Sequence, residues 1–135
     1  MHSRSAARAV ALQALYQFDL RGDEFEPHLQ GFLRNWARGE ATRCHAERLV
    51  GGCRMAKPEL DELIAQKARN WALDRMSAVD RSILRLAAYE MLYEPDVPPK
   101  VAIDEAVRLA KRYGSEESGA FVNGVLDQIL AGLPT

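Results

Sequence analysis

Apolar residues recur at helical spacing along almost the whole of this 135-residue chain, and two segments are apolar on nearly every side. In the first twenty or so residues, Ala7, Val10, Ala11, Ala14, Leu15 and Phe18 form one arc, and Leu12, Tyr16 and Leu20 another. Only Ala6, Gln13 and Gln17 make a mild outward strip. In the segment beginning at Ser77, Val79, Ile83, Leu84, Leu86, Ala87 and Met91 fill a broad arc, and Tyr89, Leu92 and Tyr93 most of the rest. A helix apolar all round must be covered from more than one side. Two such helices in a short chain therefore imply two helical layers or small bundles packed through them. There is no alternating apolar/polar strand and no Asn-Gly or Asp-Gly hairpin, so the class is all-α.

The breakers divide the chain into seven helical segments. The first starts near Ser3 or Ser5 and ends at Gly22. Pro27 opens the second, with Leu29, Phe32, Leu33 and Trp36 at helical spacing, and Gly39 ends it. Thr42 can cap a third helix running to about Lys57. Pro58 suits the first turn of a fourth running to about Trp71, because proline's missing N–H costs little there. Ser77 with Asp80 makes a capping-box-like start for the fifth. Pro95, Pro98 and Pro99 separate it from a sixth that runs to Tyr113, closed by Gly114. Ser115 can cap the seventh, with Glu116 and Glu117 in a first turn that favours acids. The organisation expected is a single domain with helical halves of about 1–76 and 77–135.

Composition narrows the function. Hydrophobic residues are 47% and charged residues 27% of the chain, which excludes wholesale disorder. Lys plus Arg total 18 against 19 Asp plus Glu, a formal net charge of −1. Nucleic acid could then be bound only through a local patch or with a partner's help. No apolar run is long enough to cross a membrane. Arg4, Arg8 and Gln13 interrupt anything resembling a signal peptide. A cytoplasmic protein is expected, with Cys44 and Cys53 as reduced thiols. Catalysis finds no support: there is no phosphate loop, HExxH or nucleophile elbow. His2, His28 and His45 lie on separate segments without metal-ligand spacing. No cofactor or metal is expected.

Several residues stand out. Glu90 falls inside the apolar arc among Val79, Ile83 and Leu86, so it should find a cation or backbone donors. Arg4 and Arg8 lie one turn apart at a helix N-terminus, where cations oppose the helix dipole. An anionic partner, phosphate above all, would explain them. Arg81 and Arg85 share the least apolar face of the fifth helix, and Lys111 and Arg112 close the sixth. Asn123 and Gly124 sit mid-helix, where glycine costs about 1 kcal/mol against alanine. Close approach of another backbone would account for the glycine, and a bond to a neighbouring loop for the asparagine. Phe121, if exposed, offers a stacking surface for an unpaired base; if buried, it is core.

Three blocks, ARAVALQALYQFDL (7–20), WALDRMSAVDRSILRLAAYEMLY (71–93) and DVPPKVAIDEAVRLAKRYGSEESGAFVNGVLDQI (96–129), together resemble the NusB family of bacterial transcription antitermination factors. The third is the most specific; 22–57 match only in helical character. The resemblance implies an all-helical fold of two small bundles and a non-catalytic module that binds the single-stranded boxA element of nascent ribosomal RNA. It implies NusE, a small-subunit ribosomal protein, as partner, and a complex with the elongating RNA polymerase and other Nus factors. It places Arg4 and Arg8 as phosphate contacts, and Tyr16, Glu117 and Phe121 at RNA-facing positions. Asp80, Arg81 and Arg85 fall where RNA and NusE would meet: Asp80 and Arg81 as partner-binding, Arg85 as RNA-binding. Family members often carry a denser basic cluster at the N-terminus than Arg4 and Arg8 supply here, so dependence on NusE is expected.

Two other readings compete. A homodimeric helical scaffold would occlude the RNA face by self-association. A NusB-like RNA-recognition module of an rRNA cytosine methyltransferase would need a catalytic domain, for which 135 residues leave no room.

Overall fold

The structure is a computed structural model and describes residues 3–134; His2 lies outside them. Among the described residues there are seven α-helices and no strand: α1 (Arg4–Arg21), α2 (Leu29–Trp36), α3 (Glu40–Met55), α4 (Lys57–Lys67), α5 (Ala78–Tyr93), α6 (Pro99–Tyr113) and α7 (Ser118–Ala131). Short 3-10 stretches, Gly22–His28 and Leu73–Arg75, lead into α2 and α5. The expected all-α class is the class observed. No helix is long and apolar enough to cross a membrane among the described residues.

The two helices that are apolar all round are the two central ones. Helix α1 packs against α3 and α5, and α5 packs against α1, α3, α4, α6 and α7. The main cluster of buried side chains runs from Leu12 and Leu15 through Leu49, Leu60 and Ile64 to Ile83, Leu86, Val122 and Leu126. It spans both halves of the chain. A smaller cluster of Ala7, Val10, Leu33, Ala37 and Ala46 joins α1, α2 and α3. Each buried leucine or isoleucine stabilises the fold by about 2 kcal/mol over an exposed one.

Two helix starts follow the sequence reading. The Ser3 hydroxyl accepts from the Ala6 N–H at 3.2 Å, and that of Ser77 from the Asp80 N–H at 3.0 Å. Other boundaries differ. Pro27 lies inside the 3-10 stretch, and α2 begins at Leu29. Gly39, not Thr42, precedes α3: the backbone there has φ 88°, a conformation glycine adopts without strain, and Thr42 is buried in the first turn. Helix α4 stops at Lys67, and the Trp71 N–H bonds the Ala68 carbonyl in a turn at 2.9 Å. Helix α7 begins at Ser118, whose hydroxyl accepts from the Ser115 N–H at 2.9 Å, so Glu116 and Glu117 precede the helix. Gly114 is needed for space, since a Cβ there would collide with Ser118. Gly124, by contrast, faces open space, and Asn123 donates to Asp127 on its own helix at 3.4 Å. No backbone approaches that glycine.

Candidate nucleic-acid interface

A groove of about 170 Å³ lies between the start of α5 and the start of α7, lined by Trp71, Arg75, Asp80, Ser115, Glu117 and Phe121 among others. Three expected site residues, Asp80, Glu117 and Phe121, are thus brought together from positions far apart in sequence. The Phe121 ring meets that of Trp71 edge-on, with centroids 6.1 Å apart and planes at 74°. Phe121 is half-buried, whereas Trp71 is 53% exposed. The exposed Glu117 carboxylate accepts from the Ser115 hydroxyl at 3.3 Å. The Asp80 Oδ1 atom is buried and has no hydrogen-bond partner.

Trp71 and Arg75 did not stand out in the sequence. Trp71 reads as the last residue of a helix, and its exposure follows from the early end of α4. An exposed tryptophan just ahead of a capped helix is the signal that could have found it.

Arg81 organises this wall from behind. Its Nη1 donates to the carbonyls of Leu73 and Met76 at 2.8 and 2.9 Å, and its Nε and Nη2 grip Asp19 of α1 at 3.2 and 2.5 Å. The connection carrying Arg75 is thereby strapped to α5 and α1. Arg85 reaches Asp19 at 2.9 Å and Asp61 of α4 at 2.6 Å and is itself only 8% exposed. Burial pushes the Asp19 carboxyl up, but hydrogen bonds and charge from Arg81 and Arg85 outweigh it and hold the group below its ordinary value. Neither arginine meets the expectation of a surface contact, because the guanidinium donors of both are committed to internal carboxylates or carbonyls.

Arg8 is the sharper correction. It does not share a solvent face with Arg4. It is 3% exposed, with Nε 2.8 Å from Glu90 and Nη1 3.0 Å from Glu105. Burial inside the fold, with two ion pairs holding it there, keeps this guanidinium out of reach of a phosphate. Glu90, as its place in the apolar arc demands, is buried and has its cation. Arg4 remains an exposed residue on the first turn of α1. Tyr16 is half-buried and lines a separate groove on α1, beside Tyr113 and Trp36.

The Trp71 groove therefore combines aromatic surface, one cation, and acceptors on Asp80 and Glu117. Such a surface suits an unstacked base better than a phosphate chain. No group of three or more metal-ligating side chains occurs among the described residues.

The NusB family model matches residues 5–131. The chain belongs to the NusB family. The transcription antitermination protein NusB of Trichlorobacter lovleyi is 45% identical over 131 residues, covering 97% of this chain and 92% of that protein. That of Anaeromyxobacter dehalogenans is 48% identical over 132 residues with the same coverage. Among solved structures, NusB of T. maritima superposes with a TM-score of 0.88 at 40% identity, over 98% of this chain and 94% of that one. A crystal structure of the antitermination factors NusB and NusE in complex with dsRNA superposes with a TM-score of 0.87 at 29% identity, over 96% of this chain and 97% of that one. Membership makes this chain a transcription antitermination factor of the NusB type.

Proposed function

We propose that the chain binds the boxA element of nascent ribosomal RNA together with NusE, as a non-catalytic cytoplasmic component of an antitermination complex with RNA polymerase and other Nus factors. The observation that carries this is the groove in which Trp71 and Phe121 stand edge-on beside Arg75 and the unpartnered Asp80 oxygen. The ring faces stack on unpaired bases, and Asp80 accepts from an exocyclic amine. Arg75 and Arg4 supply phosphate attraction. The likeness to NusB solved with NusE and RNA supports the same reading.

The halves 1–76 and 77–135 cooperate in it: Asp19 on α1 fixes Arg81, which fixes the wall of the groove. With so few free cations in the site, the basic charge comes largely from the partner. Titration of boxA RNA against the protein with and without NusE tests this. Tight, sequence-selective binding is expected only with NusE. Equal binding of scrambled RNA by the complex would overturn the boxA assignment.

A further inference from the structure

A groove of about 450 Å³ lies where the end of α3 and the start of α4 meet the last turns of α5. Met55, Ala56, Pro58 and Glu59 line it from the α3–α4 corner, and Tyr89 and Tyr93 from α5. Gly52 admits the first tyrosine: a Cβ there would lie 2.3 Å from the Tyr89 ring, so the ring rests directly on the α3 backbone. Tyr93, one turn further on, stacks with Tyr89 at 5.4 Å between centroids and 28° between planes. The Tyr93 hydroxyl donates to the Glu59 carboxylate. The ring pair is thus held from α3, α4 and α5, yet Met55 is 88% and Tyr93 45% exposed.

The charge on this surface is one-sided. Among the described residues, Glu59 is the one charged side chain lining the groove. The cations beside it are already answered: Arg48, one turn before Gly52, pairs with Glu94 at 2.7 Å, and Lys57 with Asp61 at 3.5 Å. The bond to Glu59 raises the Tyr93 hydroxyl above its ordinary pKa, and burial with the charge of Glu94 does the same for Tyr89. Aromatic faces are themselves negative. A phosphate chain would be repelled here. An apolar helix would cover the Glu59 carboxylate without giving it a cation. An arginine satisfies every part of the groove. Its methylene stem lies on Met55 and Pro58, its planar guanidinium stacks on a tyrosine face, and its fork donates to the carboxylate. A lysine has no plane to stack.

We propose that this groove docks an arginine on a basic segment of a protein partner other than the one met at Asp80. Tyr93 lies thirteen residues beyond Asp80 on α5, about 20 Å along the helix. RNA and NusE engage the start of α5 and the arginine engages its end, so all are bound at once. The chemistry of the groove is independent of the RNA reading of the Trp71 groove.

The probe is a blocked peptide carrying one arginine between glycines, read by NMR from the Met55 methyl and the Gly52 amide. Saturable shifts of both are expected with arginine, smaller ones with lysine, and none with citrulline, which keeps the shape and loses the charge. Glu59→Gln should weaken the peptide about tenfold, the scale of a charge-assisted hydrogen bond. Tyr93→Leu should weaken it about threefold, the scale of one exposed cation–π contact. Both positions are exposed, so each variant should leave the remaining amide spectrum and boxA binding by the NusE complex unchanged. The complex with NusE and RNA should take the peptide as well as the free protein does. Equal shifts with citrulline, undiminished affinity in Glu59→Gln, or shifts spread over every acidic stretch of the surface would overturn the arginine site. Loss of peptide binding on adding NusE would assign the groove to that partner and overturn the proposal. Weaker boxA binding by Tyr93→Leu would put the groove on the RNA path and overturn it too.

Discussion

Arg8 and Glu90, 82 residues apart, form a buried ion pair across α1 and α5, with Nε 2.8 and 3.0 Å from the two carboxylate oxygens. Removing one partner leaves a buried charge uncompensated. Arg8→Ala should cost about 3–5 kcal/mol, measured by denaturant unfolding. Arg8→Met with Glu90→Leu should recover most of that loss, since apolar replacement of a buried pair is often neutral. Arg4→Ala should leave stability within about 0.5 kcal/mol and lower the salt slope of RNA binding by about one. Equal effects of Arg4→Ala and Arg8→Ala on stability would contradict the distinction.

Asp19 sets the acid limit of the α1–α5 contact. Its carboxyl is held below the ordinary value of 3.8, so its stabilising contribution is complete above about that pH and is lost as pH falls further. Asp19→Asn should lower the melting temperature at pH 7 and flatten its fall below pH 4. Melts of both proteins across that range check this. Parallel curves would assign the acid sensitivity to other carboxylates.

Phe121 and Trp71 should behave as a pair toward RNA. Either alanine variant should weaken boxA binding of the NusE-containing complex about tenfold, in keeping with one stacked base. The double variant should lose less than the product of the two, because the rings share one site. Trp71→Ala, in an exposed turn, should leave the melting temperature unchanged, whereas Phe121→Ala should lower it through lost packing on the core.

Gly124 stands in the interior of α7 with open space around it. Gly124→Ala should therefore stabilise the protein by about 0.5–1 kcal/mol. Loss of stability in thermal or denaturant unfolding would mean a neighbour that the helix surface does not reveal.

Much of the fold was legible because periodicity and end signals are local. The all-round apolarity of 7–20 and 79–93 marked the two central helices, and Ser3, Gly22 and Ser77 marked ends the structure keeps. Errors fell where tertiary geometry decides a boundary. Gly39 rather than Thr42 precedes α3 because the backbone there takes a positive φ, which glycine adopts without strain. Ser118 rather than Ser115 begins α7 because it packs against Gly114.

The candidate site divides the same way. Glu90 could be read as buried and in need of a cation, since its helical angle and the cost of an unpaired charge are both local facts. That the cation is Arg8, and that Arg81 and Arg85 answer Asp19 and Asp61, depends on which helices meet. Helix spacing places Arg4 and Arg8 on one face, but only the packing of α1 against α5 and α6 puts one guanidinium in solvent and the other inside. Trp71 joins Phe121 for a like reason: the distance between two side chains 50 residues apart is set by the core that brings the turn after α4 against the start of α7, and no local pattern carries it.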